Sequence, residues 1–412
     1  MRRPRVLTMI MAGGKGERLH PLTRDRSKPA VPFGGRHRII DFVLSNFVNS
    51  EMLSLYILVQ YKAQSLIEHV RLAWRTTGIV PDYFVTIVPP QMRAGPAWYR
   101  GTADAVLQNL NLVDDFNPDV IAIFGSDHIY RMDVSQMLAF HLETDADVTV
   151  AARSVPVAEA SQFGVLGVDG DGRVTDFQEK PDRPRAIPGS PGRALVSMGN
   201  YLFKRPVLVA ALLDDARRST EHDFGRSIIP ELVGPRRVCA YDFQLNEVAG
   251  VKPYEEPGYW RDVGTIETFW QAHMDLLGEA PRFDLDNREW PIRTGQYPGP
   301  PARLIGGDVD NVQIAEGSLI KRATIRNSIL GRSVWVNEGA IIEDSIIMDH
   351  TTVGKGARVR RAIIDRFNII AADAEVGLDP AADRRHYHVD RSGLVVVPRG
   401  GRREFLRSLD EA

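Results

Sequence analysis

Met11-Ala12-Gly13-Gly14-Lys15-Gly16-Glu17-Arg18-Leu19, with Lys28-Pro29 beyond it, is the stretch that decides how the chain is read. The apolar run Val6 to Met11 leads directly into its glycines. That order predicts a buried strand ending in a tight loop with few side chains. Glycine lets backbone N–H groups turn toward an anion and lets phosphate oxygens come close. Arg18 and Lys28 can add full positive charges to the same phosphates. A nucleoside triphosphate held on this loop is the first expectation.

Two familiar phosphate loops do not fit. A Walker loop needs Ser or Thr after its lysine, and Lys15 is followed by Gly16. A dinucleotide fingerprint begins at Gly14-x-Gly16, but Leu19 stands where its third glycine belongs. An ordinary glycine-rich strand–turn connection would explain the glycines alone. The longer pattern is more specific: Ala12-Gly13-Gly14-x-Gly16-x-Arg18-Leu19, then Pro21-Leu22-Thr23, then Lys28-Pro29. It resembles the opening of the sugar-phosphate nucleotidyltransferases.

Composition bounds the rest. The 412 residues are enough for two or three domains, and 43% hydrophobic with 25% charged residues is ordinary for a globular protein. A net charge of −2 gives no field to draw nucleic acid or an anionic membrane. The single cysteine, Cys239, can form no intrachain disulfide, which suits a reducing cytoplasm. Arg2, Arg3 and Arg5 before a short apolar run mimic a signal peptide, but cleavage near Ala12 would destroy the loop. No stretch reaches the roughly 18 apolar residues of a membrane helix.

Onward from the loop, helical spacing over Ile40 to Val48 precedes a strand over Leu53 to Val59 ending at Gln60, then an amphipathic helix over Ser65 to Trp74. Alternation on this scale predicts an α/β fold with a mostly parallel sheet, whose ligands sit beyond the carboxyl ends of the strands. Gly101-Thr102-Ala103-Asp104 reads as a helix start, either plain capping or a nucleotide-contacting turn. The buried strand Val120 to Phe124 stops at Gly125-Ser126-Asp127-His128. Asp127 there is placed either to cap a loop or to hold Mg²⁺ on a triphosphate. Glu179-Lys180, at the end of another strand, offers an acceptor and a cation for a sugar phosphate, or else a plain surface ion pair. Asp262 sits among aromatics and glycine in Tyr259-Trp260-Arg261-Asp262-Val263-Gly264-Thr265, 135 positions after Asp127, and spacing alone cannot say whether the two converge.

Beyond a Pro- and Gly-rich stretch the period changes. Ile341, Ile347, Val353 and Val359 step by six, and Ile364, Ile370 and Val376 resume that step after one interval of five. This is a hexapeptide β-helix signal. The expected division is a catalytic domain over 1–275, a linker over 276–302, a β-helix over 303–400 and a tail over 401–412.

Taken together, the motifs resemble the bacterial glucose-1-phosphate adenylyltransferases over about residues 5 to 400. The most specific are the glycine loop with Lys28-Pro29-Ala30-Val31-Pro32-Phe33-Gly34-Gly35, Trp98-Tyr99-Arg100-Gly101-Thr102-Ala103-Asp104-Ala105, Asp127-His128-Ile129-Tyr130, Phe163-Gly164-Val165, Glu179-Lys180-Pro181, Ser197-Met198-Gly199, His222-Asp223-Phe224-Gly225 and the segment around Asp262. The resemblance implies a Rossmann-like nucleotidyltransferase domain, a left-handed parallel β-helix and a homotetramer. It implies transfer of the adenylyl group of ATP to glucose 1-phosphate, with sugar-phosphate effectors. By the same resemblance, Ala12, Gly13, Gly14, Gly16, Arg18, Gln60, Gly101, Thr102 and Asp104 would meet the nucleotide. Asp127 and Asp262 would hold Mg²⁺, with Arg18 on the departing pyrophosphate and Lys180 on the sugar phosphate. Tyr99, Gly164, Glu179 and Ser197 would line the sugar site. Gln60 and Trp98 would link effector and substrate sites. Lys28 would meet either phosphate or activator, and Arg38 would be a second cation for the activator.

Ser126 departs from the alanine or glycine that many members carry before the aspartate. Three other readings stay open at this point. A regulatory subunit of the same fold would lack an Asp or Lys that is present here. A sister enzyme would use another base. A β-helix acyltransferase would need a histidine base, and His350 is the only histidine between 303 and 380.

Overall fold

A computed structural model describes residues 4–75, 82–91 and 98–410. Among the described residues, its first strand, Val6–Ala12, is an inner strand of a nine-stranded sheet. Leu7 and Met9 face one helical layer, and Ile10 and Ala12 face the other, so both faces of the strand are buried. Leu7, Met9 and Ile10 each contribute roughly 1.5–3 kcal/mol of burial. Strands Ser54–Val59 and Val120–Gly125 flank it, both parallel to it, and Phe84–Val88 extends the parallel edge. On the other side the sheet turns antiparallel. The twelve-residue strand Arg193–Lys204 pairs with Val120–Gly125, then with Val148–Pro156 and Gly164–Val168. The parallel set therefore carries the glycine loop, and the antiparallel set extends the sheet toward Glu179.

The expected helices form as Ile39–Asn49 and Gln64–Ala73. The segment between helix Ile266–Met274 and strand Arg303–Ile314 has no regular element, yet it buries Phe283, Trp290 and Ile292. It is held along the first domain: Asn49 donates to the Pro291 carbonyl, and Ser45 Oγ accepts from Arg293 N.

The C-terminal part is a parallel β-helix whose strands stack in register, Ile341 on Arg358 and Arg358 on Glu375. One coil therefore takes 17 residues rather than three full hexapeptides. The inward column corrects the period by one position. Ile342, Ile347, Val353, Val359, Ile364, Ile370 and Val376 are buried, whereas Ile341 is only half-buried. Along this buried column the interval of five recurs once per 17-residue coil, at Ile342–Ile347 and Val359–Ile364, whereas the first coils stack at a spacing of 16, Arg303 on Leu319 and Leu319 on Trp335. One face of the β-helix, with Ile329, Ile346, Ile363 and Val396, shares an apolar cluster with Phe33, Ile39, Phe42 and Phe269. Arg26 and Asp365 make an ion pair at this junction with side chains only 2% and 1% exposed. The tail holds a helix over Arg402–Asp410.

Candidate active site

A cleft of about 520 Å³ opens at the carboxyl ends of the parallel strands. The glycine loop forms one wall. Gly16 has a left-handed backbone, φ 64°, and a Cβ there would stand 3.0 Å from the Lys28 Cβ and 3.1 Å from the Thr23 Cγ2. Only glycine satisfies both demands. Thr23 Oγ1 donates to the Gly16 carbonyl at 2.9 Å and pins the loop down. Gly13 and Gly14 line the cleft, whereas Ala12, the last residue of the strand, does not.

The acidic centre is built by two short strands. His128–Tyr130 and Trp260–Asp262 pair antiparallel with Asp262 opposite His128, which brings Asp262 beside Asp127. Asp127, His128 and Asp262 each offer a ligand atom within 4.8 Å of the others. Ser126 Oγ donates to the Met11 carbonyl at 2.7 Å and staples two strand ends at the cleft floor. The Lys28 ammonium lies 3.1 Å from Asp127 Oδ2 and 2.8 Å from Asp262 Oδ1. Burial alone would lower the Lys28 pKa, but the two carboxylates outweigh it and hold it above the ordinary lysine value. Enclosure would likewise raise the Asp127 carboxyl, but Lys28 and His128 outweigh this and hold it well below the usual carboxylate range. Arg18 reaches Asp262 Oδ2 at 3.5 Å and Gln162 Oε1 at 3.3 Å.

The opposite wall sets a carboxylate beside an ammonium. Lys180, with φ 49°, sets its ammonium 3.6 Å from Glu179 Oε1. Burial raises the Glu179 pKa, and Lys180 offsets part of that. A Cβ on Gly225 would fall 2.6 Å from Glu179 Oε2, and one on Gly164 would fall 2.8 Å from the same oxygen and 2.5 Å from the Phe177 ring. The glutamate thus lies between two glycines that leave it room. Ser197 and Tyr99 line the same cavity, and Asn109 donates to the Tyr99 hydroxyl at 3.0 Å. Gln60 holds the Tyr99 backbone from both sides, accepting from its N–H at 3.0 Å and donating to its carbonyl at 3.3 Å.

The helix start at Gly101 divides. Gly101 and Thr102 face the cleft, and Thr102 Oγ1 donates to Asp223 at 2.8 Å. Asp104 turns away, its carboxylate taken up by Arg100 and Gln108. The amides of Ala103 and Asp104 donate to the His222 carbonyl, so these two first-turn donors are already satisfied within the chain. Trp98 stands 55% exposed outside the cleft. Arg38 is remote too: it donates to Ser65 O at 2.9 Å and Oγ at 2.8 Å. Burial first, then the charges of Arg366 and Arg26, lower its pKa to about 9. Gln162, Asp223 and Gly225 line the cleft without having been predicted as site residues. The His222-Asp223-Phe224-Gly225 motif could have pointed to two of them, but nothing local marks Gln162.

Comparison with known proteins agrees with this layout. The nucleotidyl transferase family model matches residues 7–279, and a GlmU-like, C-terminal hexapeptide model matches 300–397. A glucose-1-phosphate adenylyltransferase of Thermodesulfovibrio yellowstonii is 49% identical over 411 residues, covering 99% of this chain and all of that protein. Proteins of the same name from Photobacterium profundum, 48% identical over 96% of this chain and 98% of their own, and from Anaeromyxobacter sp., 47% over 97% and 99%, are alike from end to end. With a nucleotidyl transferase domain, a hexapeptide β-helix and near-half identity over the full length, the chain belongs to the glucose-1-phosphate adenylyltransferase family.

Proposed function

We propose that the chain transfers the adenylyl group of ATP to α-D-glucose 1-phosphate, forming ADP-glucose, the glucosyl donor of α-glucan synthesis, and pyrophosphate. The observation that carries this reading is that one cleft joins the glycine loop, the Asp127–Asp262 pair and the Glu179–Lys180 wall. A phosphate oxygen of the sugar 1-phosphate attacks the α-phosphorus of ATP in line. The bond from that phosphorus to the bridging oxygen breaks, and its electron pair leaves with pyrophosphate. No enzyme nucleophile is needed, so catalysis is alignment and charge neutralisation. Backbone amides at Gly13 and Gly14 bind the nucleotide phosphates, and Arg18 meets the leaving pyrophosphate. Lys180 holds the sugar phosphate, and Glu179 accepts a sugar hydroxyl. Tyr99, Gly164 and Ser197 shape the pocket around the sugar.

Asp127 and Asp262 suit a hard divalent ion, since they present carboxylate oxygens at one point. Asp127 and Asp262 would hold Mg²⁺, and the chemistry it would supply is neutralisation of phosphate charge.

The test is pyrophosphate release with glucose 1-phosphate and Mg²⁺, using ATP, UTP, dTTP and GTP in parallel and Asp127→Ala as control. Activity mainly with ATP, lost in the variant, supports the reading. Preference for another base makes the protein a sister enzyme, and silence with every nucleotide makes it a regulatory subunit.

Sugar-phosphate effectors would bind near the domain junction, where Arg38 faces Arg26 and Arg366. Loss of activation in Arg38→Ala checks this. The assembly would be a homotetramer, tested by light scattering, and the setting cytoplasmic. Among the described residues, no helix is long and apolar enough to cross a membrane.

A further inference from the structure

We propose that the Lys28 ammonium is the resident counter-cation of the Asp127–Asp262 pair, and that a divalent ion enters this site only as Lys28 moves off the carboxylates onto a phosphate. Metal and nucleotide would then arrive as one coupled unit rather than in independent steps. The inference rests on the metal reading given above and adds a competitor to it.

Three observations carry it. First, one nitrogen bridges the two carboxylates, 3.1 Å from Asp127 Oδ2 and 2.8 Å from Asp262 Oδ1. An ion about 2.0–2.1 Å from the same oxygens would crowd the ammonium that already touches both. It would also stand against a like charge. Second, the charges already balance. Two carboxylates face Lys28 and, at 3.5 Å from Asp262, Arg18. A bare divalent ion would leave the cluster strongly positive, whereas the oxygens of a triphosphate restore the balance. Third, the lysine's stem and backbone are fixed by packing, whereas its tip is held only by the two carboxylates. Its stem lies under Gly16, and Pro29 and Ala30 after it are buried. An exchange of partners by the ammonium alone would leave this packing in place. Coupling of this kind is reciprocal: metal would favour nucleotide as much as nucleotide favours metal.

The experiment is Mn²⁺ binding to the full chain without nucleotide, read from the free-ion electron paramagnetic resonance signal. Lys28→Met and Lys28→Gln are each expected to bind Mn²⁺ about ten- to a hundredfold more tightly than wild type, a usual range for coupling between sites. Asp127→Asn placed on Lys28→Met should abolish that binding. Lys180→Met removes another cation of the cleft, one that touches Glu179 and not the acidic pair, and should change Mn²⁺ affinity little. Asp127-dependent binding of equal strength in wild type and both Lys28 variants overturns the inference alone. No Asp127-dependent binding in any protein overturns the metal reading and the inference with it.

A crystal of the unaltered protein soaked in Mn²⁺ gives a second test that needs no folded variant. Manganese on both aspartates with Lys28 withdrawn supports the inference. Manganese there with Lys28 still touching both carboxylates overturns it.

Discussion

Replacing Asp365 with asparagine is expected to cost about 3–5 kcal/mol, because it leaves a buried guanidinium without its counter-charge. The geometry sets the size of the effect. Arg26 Nη2 lies 2.8 and 2.7 Å from the two Asp365 oxygens, inside the seam between the domains. A contact at about 4 Å is worth roughly 4 kcal/mol at the effective dielectric typical of protein sites. The neighbourhood makes the loss worse. Burial and then the charges of Arg366 and Arg26 depress Arg38, and Arg366 is depressed by burial and by Arg26 although Asp349 offsets part of it. Removing one carboxylate leaves that group with a surplus of positive charge. The assay is calorimetry combined with limited proteolysis in the Pro- and Gly-rich stretch 298–301. The temperature shift also reports which unit melts. Unfolding entropy is about 2.1 cal/mol/K per residue, so a loss of about 4 kcal/mol moves Tm by roughly 5 °C if the whole chain melts together, but by roughly 20 °C if the β-helix region melts alone. Arg26→Leu combined with Asp365→Leu should recover most of the loss, since an apolar pair carries no unpaired charge. A shift in Asp365→Asn of less than about 0.5 kcal/mol, the ordinary size for a surface change, would refute the reasoning.

Other consequences follow from single contacts. Burial raises the Glu179 pKa, so the KM for glucose 1-phosphate should begin to climb on acidification before the pH reaches the ordinary glutamate range. Glu179→Gln should flatten that dependence while raising KM about ten- to a hundredfold, the worth of a hydrogen bond to a charged group. His37, His141 and His273 are each lowered to about 4, with burial the leading cause, so the folded state favours their neutral rings. Their contribution is complete above the unfolded value near 6.5 and is lost as pH falls toward about 4, at about 1.4 kcal/mol per pH unit per ring. Urea midpoints at pH 7 and pH 5 should therefore differ clearly, and equal midpoints would contradict it. Gly225→Ala should cost about ten- to a hundredfold in kcat/KM at unchanged Tm, because its Cβ displaces Glu179 and not the backbone. Ile342→Ala should cost about 2–5 kcal/mol and Ile341→Ala much less, which tests the inward register of the coil.

What was legible in the sequence was local. An apolar run that ends in glycines announces a strand and its loop because both signals lie within a few residues of each other. The β-helix was legible by its period, including the interval of five that recurs once per 17-residue coil. Its register was not, since Ile341 and Ile342 are the same residue type and period alone cannot choose between them. Asp104 shows the converse. Its place in the first turn of a helix suits either capping or a ligand, and only the position of Arg100 and Gln108 around it decides.

The acidic centre shows why the remainder was hidden. Each of its members carries an ordinary local signal: a carboxylate after a strand, a carboxylate among aromatics, a lysine before proline. Their meaning comes from a pairing between two three-residue strands, too short to be recognised along the chain. Lys28 meets partners 99 and 234 positions away. Sequence could assign it a positive charge and a phosphate or an activator to receive it. It could not reveal that the same charge is held by two carboxylates suited to the metal. That contact turns an ambiguous cation into a competitor for the metal site, and the variants that relieve the competition are the ones in which Mn²⁺ should bind without nucleotide.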